Sequence, residues 1–186
     1  MKTKLMYVFT GIIYFWGCIW YDKKYLTGRF FDRYHYTIGW KLILKHWFSQ
    51  KVLGNNRHVP FPTIREISIS CPNNLIFDSH DIDNFLSKGC YFQAINGKIY
   101  IGKGTKIAPN CGFITTNHDL NDLEKHSEGK DIVIGKDCWI GMNSMILPGV
   151  ELGEHTIVGA GSVVTKSFKE GNCVIAGNPA KIIRKL

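Results

Sequence analysis

Two histidines, His118 and His126, lie in a polar stretch between two apolar segments of the chain. A neutral imidazole titrates near neutral pH, so it can accept the proton of a hydroxyl group that attacks a carbonyl carbon. Asp119, Asp122 and Glu124 follow His118 closely, and a carboxylate or a backbone carbonyl commonly fixes the tautomer of such a base. A solvated loop histidine is the simpler interpretation of either residue alone. The choice between a catalytic base and a solvated histidine therefore depends on the secondary-structure elements on either side of the stretch.

An aliphatic residue returns at every sixth position after this stretch. The series is Ile134, Ile140, Ile146, Leu152, Val158 and Val164, and an earlier block has Ile95, Ile101, Ile107 and Phe113. Small or apolar residues precede it by two positions at Cys138, Ser144, Val150, Thr156 and Ser162. A period of six fits a short strand followed by a turn, and fits neither a helix nor a simple strand. Three such steps close one triangular coil, whose inward side chains stack on the next coil about 4.8 Å away.

The polar stretch interrupts this register. Phe113 and Ile134 are 21 positions apart, which is not a multiple of six. We therefore expect residues 114–131 to leave the coil as a protruding loop. A segment that the coil does not need for its packing is a natural place for function.

The chain divides into three predicted parts. Residues 1–60 form an N-terminal helical segment, residues 61–175 the coil, and residues 176–186 a basic tail with a short helix. The first part holds ten Lys and Arg against two acids, which accounts for the whole net charge of +8. It also holds fifteen of the twenty-four aromatic residues. Aromatic side chains interleaved with cations suit a membrane–water interface, so we expect a peripheral contact with the inner membrane through residues 1–50.

The apolar run Leu5–Tyr21 raises the question of a membrane span. Its 17 residues lie at the lower end of the range of about 17–25 that a spanning helix needs. A helix on the membrane surface, or one packed against the coil, is the favoured interpretation. The six cysteines form no CxxC pair and have no histidines at zinc spacing, so we expect reduced thiols in a cytoplasmic protein.

The repeat and its loop carry a family resemblance. The stretch Ile95–Leu186 resembles the hexapeptide-repeat acyltransferases, and TTNHDL with VGAGSVVTK is similar to their maltose and galactoside O-acetyltransferase branch. The whole chain, including WYDKKYLTGRFFDRYHYTIGWK, resembles acyltransferases of bacterial surface polysaccharide synthesis. The resemblance implies an all-β solenoid, a left-handed parallel β-helix, and a homotrimer with active sites between subunits. It also implies acetyl transfer from acetyl-CoA to a saccharide hydroxyl, with no metal and no nucleic-acid partner.

The same resemblance assigns site residues. The T-x-x-H context places the catalytic base at His118, with Trp139 beside it or packed at a trimer interface, while His126 remains a solvated histidine. Asp119 and Glu124 are expected as supporting residues because they are near in sequence, and the choice of the orienting partner among them and Asp122 stays open. The asparagine that the family carries before the loop has no secure match, and Gln93 and Asn96 are the candidates. The residues expected to bind coenzyme A, from its pantetheine arm to its phosphates, are Gly141, Met142, Ala160, Thr165, Lys166, Lys181 and Arg184. Met142 departs from the serine of some relatives, so the oxyanion is expected to meet a backbone N–H at Gly141 or Met142.

Three alternatives stay open at this stage, because one solenoid supports several functions. A serine or antibiotic acetyltransferase would share the donor site and the base. A zinc-dependent carbonic anhydrase would need three metal-binding histidines, for which only His118, His126 and His155 are available within the repeats. A solenoid scaffold without activity would release no thiol from acetyl-CoA.

Overall fold

A computed structural model describes residues 2–186. The chain forms two compact units, of which the first ends at Glu66 and the second spans Ile67–Leu186. None of the helices within residues 2–186 combines the length and the apolarity needed to cross a membrane.

The first unit is built from two α-helices, α1 (Lys2–Trp20) and α2 (Ile38–Trp47). Short 3-10 turns follow α1 at Lys23–Tyr25 and Arg29–Phe31, and a π-helical turn extends α2 over Phe48–Val52. Aromatic rings fill the space between the two helices, because Trp40 is fully buried and meets Tyr14 and Phe31 edge to face. The indole of Trp40 donates to the Asp32 carbonyl at 2.7 Å, so its polar atom is satisfied as well.

The second unit consists of fourteen short strands. They are β1 (Ser68–Ile69), β2 (Leu75–Phe77), β3 (Tyr91–Gln93), β4 (Ile99–Ile101), β5 (Lys106–Ile107), β6 (Gly112–Ile114), β7 (Ile132–Ile134), β8 (Trp139–Ile140), β9 (Met145–Ile146), β10 (Glu151–Leu152), β11 (Thr156–Val158), β12 (Val163–Val164), β13 (Cys173–Gly177) and β14 (Ala180–Lys185). A 3-10 segment at Ser79–Leu86 lies between β2 and β3.

These strands form three sheets that the chain visits in turn. Sheet A has the order β1-β3-β6-β9-β12, sheet B the order β2-β4-β7-β10, and sheet C the order β5-β8-β11-β13-β14. Every pairing is parallel except the one between β13 and β14. Because each strand from β3 to β9 pairs with the strand three places further along the chain, the unit is a parallel coil with three sides.

The predicted sixfold series is confirmed from residue 134 onward. All six aliphatic side chains are buried, and they stack in register, with Ile101 on Ile134 in sheet B and Ile107 on Ile140 in sheet C. The small residues two positions earlier are buried too, since Ser144 and Ser162 are fully enclosed and each donates its hydroxyl to the Gly159 carbonyl. Inward stacking of one coil on the next is therefore the core of this unit.

The earlier series is wrong at its first member. Ile95 lies outside any strand, and Phe92 takes the inward position in sheet A, stacked on Phe113 with ring centroids 5.0 Å apart. The step from Phe92 to Ile101 is nine residues, so the corner that contains Asn96 is three residues longer than a regular step. The widened corner supports the loop described below.

The predicted C-terminal helix is also wrong. Residues 180–185 form β14, which pairs antiparallel with β13 after a turn at Gly177 and a cis Asn178–Pro179 peptide. The edge of β13 offers unpaired backbone groups, and the β-branched Ile182 and Ile183 favour an extended chain that satisfies them. The last strand thus closes the open edge of sheet C.

Candidate active site

The loop between β6 and β7 is folded into a short antiparallel arm. His118 and His126 form a β-bridge, and the backbone N–H of Ser127 donates to the Asn117 carbonyl at 2.8 Å. The N–H of Asp119 donates to the Lys125 carbonyl at 2.9 Å. The expelled segment is therefore held by its own backbone pairing, which fixes the position of the histidine.

His118 itself is oriented by a backbone carbonyl. Its Nδ1 lies 2.7 Å from the carbonyl oxygen of Leu123 across the turn of the arm. A carbonyl can only accept, so Nδ1 carries a proton, and in the neutral imidazole Nε2 then presents its lone pair. The exposed imidazole is thereby set in the tautomer that a general base needs.

The predicted supporting carboxylates act on the turn and make no described contact with the imidazole. Asp119 Oδ1 accepts from the N–H groups of Asn121 and Asp122 at 2.7 and 3.2 Å. Asp122 Oδ1 accepts from the N–H of Glu124 at 3.2 Å. Asp119 therefore shapes the turn that presents the Leu123 carbonyl, while Glu124 contributes a backbone group.

His126 is exposed, as expected for a solvated histidine, and it also contacts the ring of His118. Its ring lies against His118 with centroids 4.6 Å apart and an angle of 32° between the ring planes. The only sequence signal for this contact is the spacing of the two histidines around a turn rich in Asp and Asn.

Gln93 holds the base of the arm. This buried side chain accepts from the N–H groups of Thr115 and Thr116 through Oε1, at 3.0 and 3.2 Å, and donates Nε2 to the Thr116 carbonyl at 3.1 Å. The Thr116 hydroxyl then donates to the Ser127 carbonyl at 2.8 Å and joins the two sides of the arm. Of the two candidates Gln93 and Asn96, Gln93 thus secures the loop through its side chain.

Asn96 contributes through its backbone instead. A β-carbon at Gly129 would lie 2.0 Å from the Asn96 carbonyl oxygen, so the returning side of the loop passes directly over this corner. The Thr115 hydroxyl donates to the Ile95 carbonyl of the same corner at 2.8 Å. The three extra residues of the widened corner are the surface on which the loop rests.

The predicted donor residues divide between two corners of the coil. Gly141, Met142 and Ala160 follow β8 and β11 and lie at the corner from sheet C to sheet A. The N–H of Gly141 donates to the Val158 carbonyl at 2.9 Å, so it is already committed to the coil. Of the two N–H groups expected to face an oxyanion, only that of Met142 remains a candidate.

Thr165 and Lys166 lie at the other corner, from sheet A to sheet B, where the histidine arm also begins. A groove of about 500 Å³ opens there. It is lined by Asn117, Ser127, Glu128, Lys130, Leu147, Pro148 and Thr165. Amide, hydroxyl and charged groups of the arm thus face the edge of the coil, and this arrangement can hold a polar molecule at the arm, although His118 is not among the residues that line the groove.

Trp139, Lys181 and Arg184 lie on the outer face of sheet C. Trp139 is 56% exposed, and the strand register places it in one row with Ile157, Val174 and Arg184. Lys181 pairs with Ala176 one step along the same face. Trp139 and the imidazole it was expected to accompany are therefore on different sides of one chain.

No group of three His, Cys, Asp or Glu side chains is arranged to hold a metal ion in the part of the chain that the structure describes. Within the same residues the six cysteines are free thiols, and four of them, Cys90, Cys111, Cys138 and Cys173, are buried in the coil.

A three-sided parallel coil with a sixfold repeat of inward aliphatic residues is typical of the class of hexapeptide-repeat proteins. The family model "Bacterial transferase hexapeptide (six repeats)" matches residues 131–166. A predicted acetyltransferase of Saccharomyces cerevisiae is 36% identical over 137 residues, which cover 66% of this chain and 69% of the relative. The chain belongs to the hexapeptide-repeat acyltransferase family.

Two further comparisons describe its neighbours. A predicted acetyltransferase of Staphylococcus aureus strain Mu50 is 41% identical over 105 residues, 55% of this chain and 52% of the relative. The crystal structure of a maltose O-acetyltransferase from Clostridium difficile 630 superposes with a TM-score of 0.53 and 30% identity, over 64% of this chain and 63% of that chain. The chain therefore spans about half the length of the staphylococcal relative and about two thirds of the other two.

Proposed function

We propose that this protein is an O-acetyltransferase that moves an acetyl group from acetyl-CoA to a saccharide hydroxyl, with His118 as the general base. The observation that carries the proposal is the contact between His118 Nδ1 and the Leu123 carbonyl, which leaves Nε2 free to accept a proton. Family membership supports acyl transfer as the reaction, and the relatives named as acetyltransferases support acetyl as the acyl group.

The reaction balances with this one residue as proton carrier. Nε2 of His118 takes the proton of the acceptor hydroxyl as its oxygen attacks the thioester carbonyl carbon. The tetrahedral intermediate collapses, its carbon–sulfur bond breaks, and the thiolate of coenzyme A takes the proton back from Nε2. The products are an acetyl ester and free coenzyme A, and the imidazole is neutral again.

The oxyanion of the intermediate needs a hydrogen-bond donor, and the backbone N–H of Met142 is our candidate because that of Gly141 is used within the coil. Met142 and Ala160 lie on a different corner from His118, and Trp139 lies on a different face. We therefore propose a left-handed coil that assembles as a homotrimer, in which the donor corner of one subunit meets the histidine arm of its neighbour. Lys166, Lys181 and Arg184 supply the cations for the phosphates of the cofactor.

The acceptor class is proposed from the polar groove that the histidine arm forms with the coil, which His118 itself does not line. Its lining combines the amide of Asn117, the hydroxyl of Ser127 and the charges of Glu128 and Lys130, which suit a molecule rich in hydroxyl groups. The similarity to a maltose O-acetyltransferase favours a saccharide over serine or an antibiotic. We place the reaction in the cytoplasm, in surface polysaccharide synthesis, and the six free thiols are consistent with a reducing compartment.

The test is a thiol-release screen of the purified chain with acetyl-CoA. The panel holds mono- and oligosaccharides, serine and an aminoglycoside, and mass spectrometry identifies every acetylated product. We expect thiol release coupled to an O-acetylated saccharide. Acetylation of serine or of the antibiotic alone would replace the proposed acceptor class, and no thiol release with any acceptor would favour a scaffold.

A further inference from the structure

One face of α1 is apolar along its whole length and is exposed. Its members are Leu5, Val8, Phe9, Ile12, Phe15 and Ile19, which we call the α1 stripe. Leu5, Ile12 and Phe15 are 72%, 65% and 74% exposed. Large apolar side chains scattered singly are normal on a protein surface, but six on one face of one helix form a contiguous patch that asks for a partner.

The opposite face of α1 already has its partner within the first unit. Thr10, Ile13 and Gly17 are buried, and the Thr10 hydroxyl donates to the Arg33 carbonyl. A β-carbon at Gly17 would lie 2.8 Å from the Ile43 side chain, which shows how closely α1 approaches α2. Because the opposite face of α1 packs against the rest of the first unit, the α1 stripe remains exposed to solvent.

Charged and aromatic groups flank the stripe at both ends. Lys4 precedes it and the exposed Lys23 and Lys24 follow it, with Asp22 3.6 Å from Lys24 Nζ, while the chain has no charged residue from 5 to 21. Near the first end, exposed rings pair as Tyr7 with Tyr34 at 5.2 Å and Phe9 with Tyr36 at 5.6 Å. Amphipathic rings and long cationic side chains around an apolar face are typical of helices that lie in a lipid headgroup region.

Two other occupants fit less well. A second copy of α1 could pair through residues 5, 8, 12, 15 and 19, which follow heptad spacing. However, α1 has 19 residues, fewer than the roughly three to four heptads that a coiled coil sustains, and apolar Phe9 replaces the flanking charges of a helical seam. A membrane span is not supported either, since no described helix is long and apolar enough.

We infer that the α1 stripe is a docking surface for an anionic lipid membrane, with α1 lying in the plane of the interface. The stripe enters the acyl boundary, and the lysines at both ends stay among the phosphates. The charge of the segment complements such a surface, because residues 1–60 hold ten Lys and Arg against two acids. This inference does not depend on the proposed reaction.

The experiment measures co-sedimentation of the full chain with vesicles of phosphatidylcholine and phosphatidylglycerol at seven to three, and with vesicles of phosphatidylcholine alone. The test variant carries Ile12→Glu and Phe15→Glu on the stripe. The control is Ile183→Glu, because Ile183 is equally exposed at 65% but lies on β14 in the other unit. Tryptophan fluorescence checks that the first unit of each variant is folded, since Trp16, Trp20, Trp40 and Trp47 lie there.

We expect the wild type and the control to bind the anionic vesicles, and the stripe variant to bind at least about tenfold more weakly, with weaker binding of all three to neutral vesicles. Wild-type affinity in a folded stripe variant would overturn the inference, and so would a wild type that binds neither vesicle. Analytical ultracentrifugation without lipid supplies the third reading. Loss of an oligomer only in the stripe variant, together with no vesicle binding by the wild type, would assign the stripe to a second copy of the chain.

Discussion

The carbonyl oxygen of Leu123 lies 2.7 Å from Nδ1 of His118. The contact joins two residues of the same arm, so the base and the group that orients it move together. Because this carbonyl already accepts from Nδ1, the nearby carboxylates are not needed as direct partners of the imidazole. They build the turn from which the carbonyl points at the ring.

We predict that Asp119→Ala lowers kcat about tenfold and changes KM for acetyl-CoA little. The substitution removes the acceptor of two backbone N–H groups, so the turn loosens and the productive orientation of His118 becomes less populated. Steady-state kinetics of acetyl transfer check this. Glu124→Ala is the control, because the exposed Glu124 gives the turn only its backbone N–H, and its kcat should stay within about twofold. Equal losses of kcat in both variants would show that the hydrogen bonds of Asp119 in the turn do not determine the orientation of His118.

Gln93→Leu should destabilise the base of the arm. The buried backbone N–H of Thr116 would lose its acceptor, and an unsatisfied group costs about 1–3 kcal/mol, whereas the N–H of Thr115 keeps the Gln93 backbone carbonyl at 3.1 Å. We expect lower protection of the Thr116 amide in hydrogen exchange together with a lower kcat. Gln93→Glu keeps both acceptor contacts and should retain more protection than the leucine variant. Unchanged hydrogen exchange in Gln93→Leu would mean that the hydrogen bonds of the Gln93 side chain do not stabilise the base of the arm.

Gly102→Ala tests the stacking of the coils. Its new β-carbon would lie 2.4 Å from the Gly135 carbonyl oxygen, so the adjacent coil must shift, and a loss of about 3 kcal/mol or more in the free energy of unfolding is expected. Gly161→Ala is the matched control. Its added β-carbon meets open space, so the expected loss in the free energy of unfolding is only the cost of an alanine at a φ of 71°, about 1–2 kcal/mol. Denaturant titration measures both values. A Gly102 variant that is no less stable than the Gly161 variant would contradict this packing.

The stability of the first unit should depend on pH through Lys51. Burial lowers the pKa of Lys51 from 10.5 to about 8, although its Nζ donates to the Arg57 and Val59 carbonyls. Between these two values the unfolded chain keeps the proton while the folded chain releases it, so the stability of the unit rises with pH from about 8 to about 10.5 and is lowest at and below pH 8.

Tryptophan fluorescence during urea unfolding at several pH values measures this dependence, because four of the five tryptophans belong to the first unit. Lys51→Met should remove the rise, and Lys45→Met, at an exposed position of α2, should keep it. A wild type with the same midpoint at pH 7.5 and pH 10 would contradict the assignment.

Periodicity predicted the coil well because every coil buries the same kind of residue. The aliphatic series from Ile134 to Val164 reports the inward row directly, and the break before it located the loop. The same reasoning failed at Ile95, since an apolar residue at a corner fits the count without being in a strand. A widened corner depends on what rests on it, here the returning side of the loop, and this contact is not encoded in local spacing.

The site was predicted in part. Sequence context singled out His118, but the Leu123 carbonyl belongs to the backbone and leaves no trace in the residue type at that position. The helix expected for residues 176–186 was wrong. The residues of this tail are compatible with a helix or a strand, and pairing with the open edge of β13 selects the strand. The secondary structure of such a segment depends on its tertiary contacts, which cannot be read from a single sequence.

The most direct measurement compares kcat for acetyl transfer in His118→Ala and His126→Ala at saturating acetyl-CoA. The two histidines lie side by side on one arm, so both variants remove an imidazole from the same place. We predict that His118→Ala loses about 10²-fold or more, as expected for removal of a general base, while His126→Ala keeps most of its turnover. A His118→Ala protein that retains more than half of the wild-type kcat would contradict the assignment of His118 as the base.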